Sequence, residues 1–211
     1  MRTIALAGRK RGAGKTTLAV ELAACAESAL ILDLDPQKKA THWAGRREFP
    51  GPVVQPAEAE VLDEALEWAR DQRFRWVFID TSAQARPDIV RAAIEVADLA
   101  LIPTRSGSAD LGVLGEMVRM VQAAGCASAI VLNACIPLGG GIRGQLLRQA
   151  FSEARRYGLP VPPTVVAERS AFPKAFEAGC TVVESDPDGK AATDILALWQ
   201  WLTQDSRVLA A

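Results

Sequence analysis

The stretch Gly8-Arg9-Lys10-Arg11-Gly12-Ala13-Gly14-Lys15-Thr16-Thr17 places two glycines, a lysine and two hydroxyls in one short run. That combination can hold phosphate. Gly12 and Gly14 lack a Cβ, so backbone N–H groups can turn inward around an anion, and a helix beginning at Lys15 adds the positive end of its dipole. Lys15 supplies a point charge for β- and γ-phosphates, and the Thr16 hydroxyl is a magnesium ligand. Asp33 and Asp80 each close a run of apolar residues, and Asp35 stands two residues after Asp33. An acid at the carboxyl edge of a buried strand is where ligands of parallel α/β sheets bind, so Asp80 is expected to hold Mg²⁺ through water.

These groups need a scaffold that brings strand ends together. Apolar runs rich in Val, Ile and Leu occur at Thr3–Ala7, Ala29–Asp33, Trp76–Asp80, Leu99–Pro103, Ala129–Asn133 and Thr164–Ala167. Between them lie stretches with apolar residues three and four apart: Thr16–Ala26, Glu58–Arg70, a helix opened by Pro87, Leu111–Ala123, Gln145–Tyr157 and Asp194–Leu202. That alternation predicts an α/β fold, a mainly parallel twisted sheet with helices on both faces. Pro50–Pro56 holds three prolines and reads as an edge strand or a loop. No repeat or long linker divides the chain, so a single domain over 1–211 is expected.

Composition agrees. Of 211 residues 49% are apolar and 23% charged, enough for a sizeable core. Lys plus Arg number 24 and Asp plus Glu 25, a formal net charge of −1 that excludes a uniformly basic nucleic-acid coat. No apolar run is long enough to cross a bilayer, and a cytoplasmic location is expected. The four cysteines are widely spaced and His42 is the lone histidine, which predicts small buried hydrophobes and neither a metal cluster nor a disulfide framework.

The strict pattern G-x-x-x-x-G-K-[ST] fails, because Arg9 stands where its first glycine belongs. A lysine opening K-x-G-x-G-K-T-T, here Lys10, instead marks a deviant Walker A loop, and the stretch resembles the ParA/MinD family of phosphate-loop ATPases. Ile31-Leu32-Asp33-Leu34-Asp35-Pro36-Gln37 is similar to the family's D-x-D-P-Q segment, and Arg75–Thr81 to its Walker B strand. Ala97–Thr104 with Asp110-Leu111, Val131-Leu132-Asn133 and Ala175-Phe176-Glu177-Ala178-Gly179 extend the similarity over nearly the whole chain. It is best with small ParA-type plasmid partition ATPases; seven residues precede the loop, so no amino-terminal helix-turn-helix is expected.

The resemblance implies an ATP site formed by Lys10, Arg11, Gly12, Ala13, Gly14, Lys15, Thr16, Thr17 and Asn133, the last reading adenine. It implies Mg²⁺ near Thr16, Asp35 and Asp80, and catalysis by Lys10, Lys15 and Asp35. Asp35 would position the attacking water, whereas Asp33 either orients the loop or caps structure. Lys10 would cross an ATP-dependent homodimer to the partner's phosphates, much as an arginine finger supplied in trans. Two departures stand out. Arg11 replaces a glycine close to the partner in relatives, where it alters dimer geometry or adds a phosphate contact. Thr81-Ser82-Ala83 replaces paired prolines, which predicts a more mobile segment after Asp80.

Region 143–174 holds Arg143, Arg148, Arg155, Arg156, Arg169 and Lys174 against Glu153 and Glu168. Either it is a solvated basic face or a footprint for the DNA backbone. The resemblance implies a partition ATPase for plasmid or chromosome whose ATP dimer binds DNA without sequence preference, over the nucleoid, and is released when a ParB-like adaptor stimulates hydrolysis. Alternatives are a ParA-like positioner of a protein cargo, a MinD-like membrane-surface regulator, and a dethiobiotin-synthetase-like ligase. The terminal Leu196–Leu202 carries no basic residue, poor for anionic lipid, so its tryptophans are expected to pack on the core and no membrane partner is expected.

Overall fold

The computed structural model describes residues 1–136 and 142–204, without the side chains of Ser108, Ile142 and Arg143. The chain runs β1 (Arg2–Leu6), α1 (Lys15–Cys25), β2 (Ala29–Asp33), α2 (Lys39–Ala44), β3 (Val53–Pro56), a 3₁₀ turn (Ala59–Val61) and α3 (Leu62–Asp71). It continues through β4 (Trp76–Asp80), α4 (Pro87–Glu95), β5 (Leu99–Thr104), α5 (Ser108–Gly112), α6 (Leu114–Ala123) and β6 (Ser128–Leu132). It closes with α7 (Ile142–Arg155), α8 (Ala171–Glu177), α9 (Val182–Ser185) and α10 (Lys190–Gln204).

Six strands form one sheet in the order β3-β2-β4-β1-β5-β6, every pair parallel. Side chains two apart share a face, and the sheet shows that period directly. Ile4, Leu6, Ile31, Phe78, Leu99, Leu101, Ala129 and Val131 pack with α1, α2 and α8–α10. Their neighbours Ala5, Ala100, Ile102, Leu30, Leu32, Val77, Ile79 and Ile130 pack against α3–α7. Burial on both faces is why these strands read as continuous apolar runs.

Several expectations change. Thr164–Ala167 is not a strand: Cys135 and Ala167 form an isolated bridge, while Ile130 N donates to Pro160 O and Val166 N to Leu132 O. Pro160, Pro162 and Pro163 cannot donate, so this chain covers the outer edge of β6 without building a ladder. Leu111–Ala123 is two helices that meet at Gly112 and Val113. Pro50–Pro56 resolves into an edge strand preceded by a loop.

That loop is held by Arg47. Its guanidinium stacks 4.5 Å from the Trp43 ring and donates to both Glu184 oxygens at 2.7 and 3.1 Å, and to the carbonyls of Pro50 and Gly179. Such a planar fork satisfies several acceptors at once. Gly179 takes φ +71, and a Cβ there would lie 2.4 Å from the Arg46 carbonyl oxygen. At the carboxyl end Trp201 is buried and Trp199 meets Trp76 edge-on, with centroids 4.8 Å apart. Among the described residues no helix is long and apolar enough to cross a membrane. All four cysteines are free; Cys135 and Cys180 are buried, Cys25 and Cys126 half-buried.

Candidate functional site

Parallel pairing brings the three acids and the glycine loop to one edge. Asp80 lies beside Leu6 on one side and Asp33 on the other, so the loop leaving β1 emerges next to the ends of β2 and β4. The chain then turns through Gly12 at φ +71 and Gly14 at φ +84 into α1. Gly14 has a second reason to lack a side chain: a Cβ would sit 2.2 Å from Asn133 Nδ2.

A cleft of about 490 Å³ opens over the loop, lined by Arg11, Gly12, Gly14, Lys15, Thr16 and Thr17, by Asp35, Gln37 and Lys39, and by Thr81–Gln84. Phe172, Pro173, Phe176 and Glu177 of α8 close its far wall. Of the expected phosphate-loop residues, Arg11, Gly12, Gly14, Lys15, Thr16 and Thr17 thus line one cavity, whereas Ala13 is buried and, like Lys10, is not in its wall.

The acids divide by hydrogen bonding. Asp33 is fully buried and its carboxylate accepts from Asp35 N at 3.1 Å, Thr41 N at 2.9 Å and Thr41 Oγ1 at 2.8 Å. It pins the turn between β2 and α2. Among the described residues the Asp35 carboxylate accepts only from Gln37 N, at 3.0 Å, and Asp35 lines the cleft. Among the described residues neither carboxylate oxygen of Asp80, also fully buried, has a well-aligned hydrogen-bond donor, although the Thr16 hydroxyl lies close enough to stabilise its charge.

Buried polar atoms without partners are rare, so a vacancy in the bonding of Asp80 points to a ligand. Magnesium fits: it needs few protein ligands and keeps several waters and phosphate oxygens, and the Thr16 hydroxyl stands beside Asp80. Burial pushes the Asp80 carboxyl up to about 7, against the pull of Thr16 and Lys15. Among the described residues no group of three or more His, Cys, Asp or Glu forms a metal cluster. Burial likewise draws Lys15 below its ordinary value; Asp80 and Asp35 oppose this and Lys39 adds to it.

Lys10 does not enter the cleft. Its ammonium lies 2.9 Å from Asp110 Oδ1 on α5. Arg11 lines the cleft and donates to Gln84 Oε1 at 3.3 Å, bridging the loop tip to the segment after β4. That segment is anchored where sequence suggested looseness: Thr81 Oγ1 donates to Leu6 O at 2.7 Å, and Ser82 Oγ accepts from Gln84 N. Asn133 is buried, and its amide donates to Ala13 O at 2.7 Å. It fastens β6 to the loop.

The basic region is dispersed. Arg156 pairs with Glu153 at 2.9 Å and Arg169 with Asp194 at 3.1 Å, while Arg155 lies over the Phe151 ring. Arg148 and Lys174 are exposed on α7 and α8. The Arg143 side chain lies outside the described residues. Lys39, Phe172 and Pro173 are not among the residues read from the sequence, whereas Phe176 and Glu177 lie in the Ala175–Gly179 stretch that carries the family similarity. A lysine directly after D-x-D-P-Q-K was the available signal for the first; Phe172 and Pro173 have no local signature.

Residues 4–182 match the family model described as the CobQ/CobB/MinD/ParA nucleotide binding domain. The "Maintenance of carboxysome distribution protein A" of Gloeobacter kilaueensis is 28% identical over 98% of this chain and 88% of its own length. "Protein ParA" of Rhizobium radiobacter is 27% identical over 85% of this chain and 84% of its own. Among solved structures, an ATP complex of a Cyanothece McdA variant superposes with a TM-score of 0.73 at 18% identity, covering 95% of either chain, a likeness of fold.

Proposed function

The chain belongs to the CobQ/CobB/MinD/ParA nucleotide-binding family, and from that premise we propose that it is a magnesium-dependent ATPase whose ATP-bound homodimer positions a protein assembly over DNA. The observation that carries the ATPase reading is the pairing of a glycine-turned loop holding Lys15 with an acid, Asp35, left free to face the same cleft.

In this reading the backbone of 12–17 and the Lys15 ammonium hold the phosphates. Thr16 and Asp80 hold the metal, which when bound polarises phosphoryl oxygens. Asp35 orients the attacking water, and its neighbour Asp33 keeps the turn rigid. Lys10 serves the partner's site once released from Asp110. Arg148 and Arg155 supply DNA-phosphate contacts, and an adaptor protein on the cargo stimulates hydrolysis.

The protein-assembly cargo is favoured over a plasmid by the Gloeobacter relative, whose name concerns carboxysome distribution and which matches 98% of this chain. Plasmid or chromosome partition is the second reading, favoured by the Rhizobium ParA. Sizing with and without a non-hydrolysable ATP analogue, each with and without duplex DNA, tests the shared mechanism. The expected result is an ATP-dependent dimer that binds DNA; a protomer of unchanged size rejects it. Fluorescent fusions then separate cargoes: foci that co-localise with a protein body support positioning, and foci on a plasmid support partition.

A further inference from the structure

Lys39 opens α2 and lines the cleft beside Lys15, Thr16 and Asp35. Its backbone is set from both sides. Lys38, just before it, takes φ +48 and spends its ammonium on the Asp33 carbonyl at 2.9 Å and the Ala57 carbonyl at 3.5 Å. Thr41, two residues on, gives amide and hydroxyl to the Asp33 carboxylate. Two adjacent lysines are thus sorted, one into the scaffold and one toward the cavity. Among the described residues the Lys39 side chain makes no hydrogen bond or ion pair.

Lys39 and Lys15 line the same cavity. Two ammonium groups at one cavity repel each other, and a polyanion in that cavity relieves the repulsion. A nucleoside triphosphate brings more negative charge than one divalent ion and one lysine neutralise. Of the other cations of this loop, Lys10 is occupied by Asp110 and Arg9 by Glu116, while Arg11 at the tip donates to Gln84. Lys39 stands on the β2 side with Asp35, the acid assigned to the attacking water. In the reading above Asp35 orients the water that attacks the terminal phosphate, and a cation on the same side of the cleft suits that phosphate.

We propose that Lys39 is a positioning residue acting in cis, its ammonium closing on the terminal phosphate of a bound nucleoside triphosphate so that the site prefers triphosphate to diphosphate. The proposal rests on the nucleotide-binding reading above. Wild type, Lys39→Ala, Lys39→Gln, Lys39→Arg and Lys15→Ala are titrated with a fluorescent non-hydrolysable ATP analogue and with ADP, in magnesium, at low and moderate salt.

Removing the charge should weaken triphosphate binding roughly tenfold, about one charge-assisted hydrogen bond, and leave ADP within about twofold. It should also flatten the salt dependence for the triphosphate, and Lys39→Arg should restore most of the affinity. Equal losses for both ligands, or no loss for either, overturn the proposal. If wild type binds the analogue, Lys15→Ala does not, and Lys39→Ala equals wild type, the nucleotide site stands and this role falls. Wild type that binds neither nucleotide removes both.

Discussion

The Lys10 ammonium lies 2.9 Å from the Asp110 carboxylate within one protomer, with Asp110 mostly shielded and Lys10 half-exposed. The cation expected to serve a partner subunit is therefore engaged at home, and any exchange between protomers must first break this pair. A partly exposed pair contributes about 0.2–1 kcal/mol, small enough to be exchanged for phosphate contacts.

Asp110→Asn removes that competition. It should shift the ATP-dependent monomer–dimer equilibrium toward dimer by up to about fivefold, following from the same energy range. Sedimentation across a concentration series measures this; a weaker dimer would mean that Asp110 helps the association.

Asp33 and Asp35 should separate cleanly. Asp33→Ala strips the acceptor from three donors and should lower stability by roughly 1–3 kcal/mol or more. Asp35→Ala should leave the melting temperature near wild type, keep ATP binding, and slow hydrolysis by about 10²-fold. Calorimetry alongside phosphate release distinguishes the two; wild-type turnover in Asp35→Ala would falsify its assignment.

Glu21 provides a pH test. Buried on α1, it accepts from the Val182 amide with both oxygens, and burial raises it from 4.5 to about 8. The folded state keeps the proton longer than the unfolded chain. This contribution is therefore full below pH 4.5 and is lost as pH rises through 8. Glu21→Gln cannot ionise, so its stability relative to wild type should climb across that window. Denaturant melts at about pH 5, 7 and 9 reveal the trend, and parallel pH curves would contradict it.

Arg47→Ala removes the stack on Trp43 and the partner of Glu184 together. A loss of roughly 3 kcal/mol is expected. Arg47→Lys should recover little, because an ammonium cannot reach four acceptors from one plane. Urea unfolding reads both.

Arg148 and Arg155 replaced together by Ala should weaken binding to duplex DNA of any sequence and reduce its salt slope by about 1–2, with nucleotide affinity unchanged. Filter binding over a salt series checks it. Arg169, paired with Asp194 against the Ala167 amide, should instead affect stability.

Much of the fold was legible because each central strand is buried on both faces and shows as a short apolar run. The misread segment, Thr164–Ala167, has the same composition, yet its register with β6 is broken by prolines upstream. Helices α2, α8 and α9 went unread for another reason. Each is short, and contacts from afar hold it, such as Trp43 Nε1 donating to Cys180 O and Phe176 stacking on Trp43.

By itself the sequence determined the chemistry of 8–17, since strand, glycine turn and helix are consecutive and their geometry is local. It also determined that the sheet is parallel, through the alternation of buried runs and helices. Only tertiary structure decided which acid is spent and which is free, because that depends on the amide and hydroxyl of Thr41 across a turn. It likewise decided that Lys10 rests on Asp110 and that Lys39 looks into the cleft, since charges find partners by distance in space, which spacing along a chain does not encode.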